Sequence, residues 1–161
     1  RIARANPIEQ MLAPHGAGTL MIPVSGLSTR ALVDTWGQAR SEGRTHEGID
    51  IMAPMGAPVI AAGDGRIVKF FDSERGGVTI YQFDAAERWV YYYAHLSRRA
   101  PALAEGDPVV QGQVIGFVGE TGNATTPHLH FELQRLGPDP KWWVADAVNP
   151  YPYLVRSEAP Q

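Results

Sequence analysis

The chain has 161 residues, a formal net charge of −3, 44% hydrophobic residues and no cysteine. That length suits one domain with a usable core, and the missing cysteine excludes a disulfide scaffold. Only Lys69 and Lys141 accompany scattered arginines, so no basic stripe points to nucleic acid, and no run has the apolar length of a membrane span.

Arg1-Ile2-Ala3-Arg4 lacks the apolar region of a signal peptide. Residues 6–13 suit a short helix with Pro7 in its first turn, and residues 1–20 read as an N-terminal extension. Residues 21–24 read as a short strand. Residues 28–44 are polar and mixed, and read as a loop lying over a site; it is the first suspect cover if that site is closed. Residues 59–62 and 66–71 flank Gly63-Asp64-Gly65, a tight-turn signal that predicts a hairpin. Residues 78–83 and 88–94 around Asp84-Ala85-Ala86-Glu87 predict a second one. Residues 113–118 and 129–133 add further strands. Residues 141–161, rich in proline and aromatics, are expected to cross the domain as irregular chain, with 156–161 as a tail. The sum is a mostly β fold, an antiparallel sheet or sandwich of short strands with a minor helix and long loops, over residues 21–155.

The five histidines carry the chemistry. Three fall in two short segments, His46-Glu47-Gly48-Ile49-Asp50 and His128-Leu129-His130-Phe131-Glu132. His95 ends the aromatic run Trp89-Val90-Tyr91-Tyr92-Tyr93-Ala94-His95, and His15 is left over as an ordinary histidine. Imidazole and carboxylate bind zinc without cysteine, and a catalytic zinc takes three protein ligands and keeps a place for water. In extended chain, residues two apart share a face. His128, His130 and Glu132 then point one way and Leu129, Phe131 and Leu133 the other. His46, Gly48 and Asp50 likewise oppose Ile49 and Ile51. Gly48 is expected to leave room for an ion or substrate, and with Ile49, Ile51 and Pro54 it argues against a helix. Glu132 reads equally as an acceptor for an imidazole proton or as a solvated carboxylate. Tyr91 and Tyr93 share a face with His95 by alternation, and could serve an oxyanion or simply pack.

Ordered motifs extend this pattern: Thr45 to Ile51, Ala53-Pro54-Met55-Gly56-Ala57-Pro58-Val59, Ala61-Ala62-Gly63-Asp64-Gly65, Tyr93-Ala94-His95-Leu96-Ser97, residues 112–119, Thr121-Gly122, Pro127 to Glu132 and Asn149-Pro150. In this combination the chain resembles the LytM/lysostaphin-type zinc peptidases of family M23 from about Pro23 to Leu154. The resemblance implies a LytM-like fold related to lipoyl-type hairpins and one zinc per chain held by His46, Asp50 and His130. It implies His95 and His128 as unligated catalytic imidazoles. It further implies an endopeptidase that opens bacterial peptidoglycan, at stem-peptide cross-links or bridges. The protein is then a monomer outside the cytoplasm, periplasmic or secreted, with its export signal not in this chain. The chain departs from the family pattern at Asn123-Ala124-Thr125-Thr126 and at the compact Gly76-Gly77-Val78. Both bear on groove shape and neither removes a ligand. A catalytically silent relative that binds wall or activates another hydrolase is the alternative, though such members lose ligands. A lipoyl-like carrier, suggested by residues 105–116, needs a lysine at a hairpin tip, and neither lysine has that setting.

Overall fold

The computed structural model describes residues 20–40 and 43–155. His15, the helix expected at 6–13 and the tail at 156–161 lie outside them. Nine strands are described: β1 (Ile49–Met52), β2 (Pro58–Ile60), β3 (Gly65–Ser73), β4 (Gly77–Asp84), β5 (Trp89–Arg99), β6 (Pro108–Val109), β7 (Val114–Val118), β8 (His128–Lys141) and β9 (Val144–Val148). One 3-10 turn, Thr29–Ala31, and one single-turn helix, α1 (Tyr151–Leu154), complete them. The sheet runs β1-β8-β5-β4-β3-β6, with β9 on β8 and with β7 joining β5 to β2. Every pairing is antiparallel. This is the mostly β architecture that the alternating short runs predict.

The period-two pattern builds the core. Ile49 and Ile51 of β1 and Leu129, Phe131 and Leu133 of β8 are fully buried, while Asp50, His128, His130 and Glu132 between them are only half-buried. Fully burying an aliphatic side chain contributes about 1.5–3 kcal/mol, so a one-residue slip of β1 against β8 would turn both Ile49 and Ile51 out of the core. That penalty fixes the register Asp50↔His130 and Met52↔His128, and the site inherits it.

The second predicted hairpin forms. β4 and β5 pair, and Asp84 Oδ1 accepts the N–H groups of Arg88 and Trp89 at 2.8 and 3.0 Å. The first does not. β2 pairs with β7, while β3 starts at Gly65 opposite Asp84 of β4. The carbonyl of Ala61 is taken by Gly112 and that of Ala62 by Met21, so the chain around the turn is bonded to other neighbours. A turn signal marks where the chain reverses and leaves the partner strand open.

Two further segments differ from expectation. Residues 21–24 make a single bridge, Val24↔Val59. Pro23 has no N–H for a ladder, although its carbonyl accepts from Ile60. Residues 141–155 are regular where irregular chain was expected: β8 and β9 pair from Leu133↔Val148 to Lys141↔Val144, and Leu154 of α1 is buried. The alternation in Val144-Ala145-Asp146-Ala147-Val148 carries the strand, and the neighbouring tryptophans and prolines mask it.

Candidate metal centre

Pairing of β1 with β8 sets Asp50 opposite His130. His46 arrives on the segment before β1, held by Gly37 N–H to its carbonyl and by its own N–H to Gln38, both 2.8 Å. One donor atom each from His46, Asp50 and His130 lies within 4.8 Å of the others.

The hydrogen bonds assign the tautomers. His46 Nδ1–H donates to the Thr35 carbonyl at 2.8 Å, which leaves the Nε2 lone pair facing inward. His130 Nε2–H donates to Glu132 Oε2 at 2.6 Å, which leaves Nδ1 facing inward. Those inward nitrogens stand 2.9 Å apart, and Asp50 Oδ1 lies 3.0 Å from the first and 3.2 Å from the second. Two lone pairs and a carboxylate oxygen aimed at one point are unfavourable unless a cation fills it. Without a metal the cation is a proton. Burial opposes charge on His130, but its hydrogen bonds to Asp50 and Glu132 outweigh that and raise its pKa to about 9. Burial of Asp50 is likewise outweighed by His130 and His46, which hold its carboxyl well below the usual range. A two-histidine, one-carboxylate donor set with an open fourth side fits zinc.

His95 and His128 stand beside this point. Their rings are 4.9 Å apart. His128 Nδ1 bonds the Thr126 carbonyl and His95 Nδ1 the Thr121 carbonyl, each at 2.8 Å, so both turn Nε2 to the cleft. His128 Nε2 is 3.5 Å from Asp50 Oδ1. Burial, aided by His128 and His130, lowers the His95 pKa to about 4, so its imidazole is neutral at pH 7. All five groups line one cleft of about 860 Å³.

The placement of His95 overturns the alternation argument. β5 carries a bulge: Ile80 opposes Tyr93 but Val78 opposes Leu96. His95 sits in the extra position with φ +62°, its N–H bonded to Gly76 at 2.7 Å. A bulge re-aims the side chain and breaks the period-two rule, and left-handed backbone in a non-glycine residue is a strain often kept at functional sites. Tyr91 and Tyr93 therefore lie in the core, with Tyr93 O–H donating to Gln82 at 2.7 Å. Tyr92 faces the cleft instead, and no sequence signal announced the bulge.

Gly48 also plays another part than the one expected. A Cβ there would lie 2.5 Å from the Phe131 carbonyl oxygen, 2.9 Å from Glu132 Cγ and 3.0 Å from His130 Cε1. The missing side chain lets β8 approach, and leaves no space for an ion. Gly48→Ala is expected to push His130 and Glu132 away, costing about 1–3 kcal/mol and part of the metal affinity. Thermal unfolding and zinc titration of that variant check this, and an unchanged melting temperature would contradict it.

Of the segment expected to lie over the site, Arg40, Gly43 and Arg44 line the cleft, and residues 35–40 also brace it. Thr35 accepts from His46 Nδ1 through its carbonyl and from the Asp50 N–H through Oγ1, and Arg40 Nη2 donates to Asp50 Oδ2 at 2.9 Å. Neither Thr35 nor Arg40 was evident from sequence, since no spacing rule links them to His46 and Asp50. The two departures from the family pattern meet at the far rim: Asn123 N–H bonds the Arg75 carbonyl at 2.9 Å. Gly77, at φ +69°, packs so tightly on Thr121 and Gly122 that no side chain fits.

Residues 44–150 match the model of peptidase family M23. Over 137 residues the chain is 40% identical to the DD-carboxypeptidase/endopeptidase Mpg of Neisseria meningitidis, covering 83% of this chain and 28% of that relative. The chain thus spans little more than a quarter of that relative's length. Among solved structures it is similar to the catalytic domain of lysostaphin from Staphylococcus simulans. There the TM-score is 0.62 and the identity 34%, over 74% of this chain and 87% of that one. It is also similar to a zinc-containing peptidase from Vibrio cholerae, at TM-score 0.61 and 28% identity over 77% and 42% of the two chains.

Proposed function

Because the chain belongs to peptidase family M23, we propose that it is a zinc-dependent endopeptidase hydrolysing peptide bonds of bacterial peptidoglycan. One observation carries the reading: three inward donor atoms and two further imidazoles share a single cleft. His46 Nε2, Asp50 Oδ1 and His130 Nδ1 would hold the metal. Zinc, when bound, supplies Lewis acidity that activates water near neutral pH and polarises a peptide carbonyl. His95 and His128 take the proton of the attacking water and deliver one to the leaving amine. Each is fixed through Nδ1 by a backbone carbonyl, so Nε2 is the atom that exchanges protons. Glu132 locks the His130 tautomer and is itself held by Gln134 Nε2 at 2.8 Å.

The cleft is strand-lined and open, which suits an extended peptide lying along strand edges. Stem peptides and bridges are of that kind, and a folded protein would have to unfold locally. Such a substrate places the enzyme outside the cytoplasm. The test is digestion of purified peptidoglycan from several bacterial types, read by mass spectrometry, beside folded globular proteins. New peptide termini in the wall with folded proteins intact are expected. Inertness toward every wall type by the zinc-loaded protein would overturn the enzyme reading in favour of a silent wall-binding domain.

Glu132→Gln tests the support of His130. The amide can still accept the Nε2–H bond, but it lacks the charge that makes the imidazole a stronger donor. Loss of such a partner typically costs 10–100-fold in metal affinity or activity. Zinc affinity by chelator competition should fall in that range. An unchanged affinity would make Glu132 a bystander.

A further inference from the structure

Asp50 uses its two oxygens differently. Oδ1 faces the three imidazoles of His46, His130 and His128, at 3.0, 3.2 and 3.5 Å. Oδ2 points the other way and accepts from Arg40 Nη2 at 2.9 Å. We propose that Arg40 is a positioning residue for the metal: its guanidinium occupies the outer oxygen of Asp50, keeps that carboxylate a one-oxygen ligand, and so sets the affinity and coordination number of the site. This rests on the reading of Asp50 as a zinc ligand.

Three features support it. First, Arg40 is not a dangling surface cation. Its backbone N–H bonds the Arg44 carbonyl at 2.8 Å, Ala39 bridges Thr45, and Nη1 reaches the Ala39 carbonyl at 3.3 Å and Gln38 Oε1 at 3.4 Å. The guanidinium is therefore held on the carboxylate before any metal arrives. Second, the same segment fixes the other variables of these ligands, through the Thr35 carbonyl on His46 and the Thr35 hydroxyl on the Asp50 N–H. Residues 35–40 thus buttress two of the three donors from outside, while His130 takes its support from Glu132 on its own strand. Third, the chemistry is directional. A carboxylate with both oxygens free can chelate a metal through both, raising its coordination number. An oxygen engaged by a permanently charged donor is withdrawn from that choice. The remaining oxygen then donates less charge, which leaves the metal a stronger Lewis acid.

Arg40 also lines the cleft, so direct contact with substrate is the competing role, and the experiment separates the two. Arg40→Gln and Arg40→Lys are prepared as zinc-free protein and compared with the parent. Zinc affinity is read by chelator competition, and the cobalt-loaded forms by their visible spectra. Expected for Arg40→Gln are a zinc affinity tighter by about tenfold, because a second carboxylate oxygen and more of its charge reach the metal once the guanidinium is gone, and weaker cobalt bands of higher coordination. Arg40→Lys, which keeps a charge but loses the planar fork, should return part of the way to the parent in both. On wall peptides at saturating zinc, kcat should fall while KM stays within about twofold. Parent-like zinc affinity and cobalt spectrum in Arg40→Gln would overturn the proposal, and a raised KM beside them would reassign Arg40 to substrate. Melting of the zinc-free variants guards against misfolding, and a folded Arg40→Lys alone suffices to decide. Loss of zinc binding in the parent on removal of Asp50 is tested separately, so failure of the ligand reading is not confused with failure of this one.

Discussion

Replacing His130 with alanine is expected to yield protein that no longer retains one zinc per chain and whose cleavage of wall peptides falls by more than about 10⁴-fold, since water activation and carbonyl polarisation are lost together. His130 is held through both of its ring nitrogens. Its side chain is 13% exposed, lies opposite Asp50 in the β1–β8 register, and is gripped at Nε2 by Glu132. Alanine removes the inward Nδ1 and leaves His46 and Asp50 to bind alone. It also frees Glu132, a half-buried carboxylate, from its imidazole partner, which adds an unsatisfied group. Elemental analysis of parent and variant after identical dialysis checks the metal, and turnover on isolated wall peptides checks the rest. Unchanged zinc content would sink the ligand assignment.

Much of this was legible in the sequence because it depends on period two. The alternation in His128-Leu129-His130-Phe131-Glu132 decides which side chains face the core, and burial of Leu129 and Phe131 enforces it. The same holds for Ile49 and Ile51 around Asp50. What was hidden depends on where that period fails or on contacts distant in the chain. A single inserted residue in β5 sends His95 to the cleft, exchanges Tyr92 for Tyr91 and Tyr93, and leaves no compositional trace. Gly48 looked like an opening, but only the depth of β8 beneath it shows that the space is filled. Residues 28–44 read as a cover because they are polar. Arg40, Gly43 and Arg44 do line the cleft, but the segment also braces His46 and Asp50, through one threonine and one arginine separated from Asp50 by 15 and 10 positions, and polarity alone does not reveal that. Trimming that segment is therefore expected to weaken the metal site, where a covering loop would have released it.

His95→Ala and His128→Ala are expected to keep zinc and lose hydrolysis by about 10²–10⁴-fold each, the usual worth of a positioned proton-transfer group. The geometry separates these two from the donors. Each spends Nδ1 on a backbone carbonyl and offers Nε2 to the cleft, so each presents one atom for proton exchange close to where substrate must lie. His95 is neutral at pH 7 because burial disfavours its charged form, and a neutral imidazole can accept a proton. Its φ of +62° belongs to a position that alanine tolerates no better than histidine, so His95→Gln, with a different side chain on the same backbone, is the control for a collapsed bulge. His128 has the closer approach to Asp50, 3.5 Å from Oδ1, which makes it the sharper test. Zinc content and turnover measured on the same preparation decide between the roles: retained zinc with lost turnover fits a proton-transfer histidine, whereas loss of zinc from His128→Ala would make it a ligand and require His46, Asp50 and His130 to be reassigned.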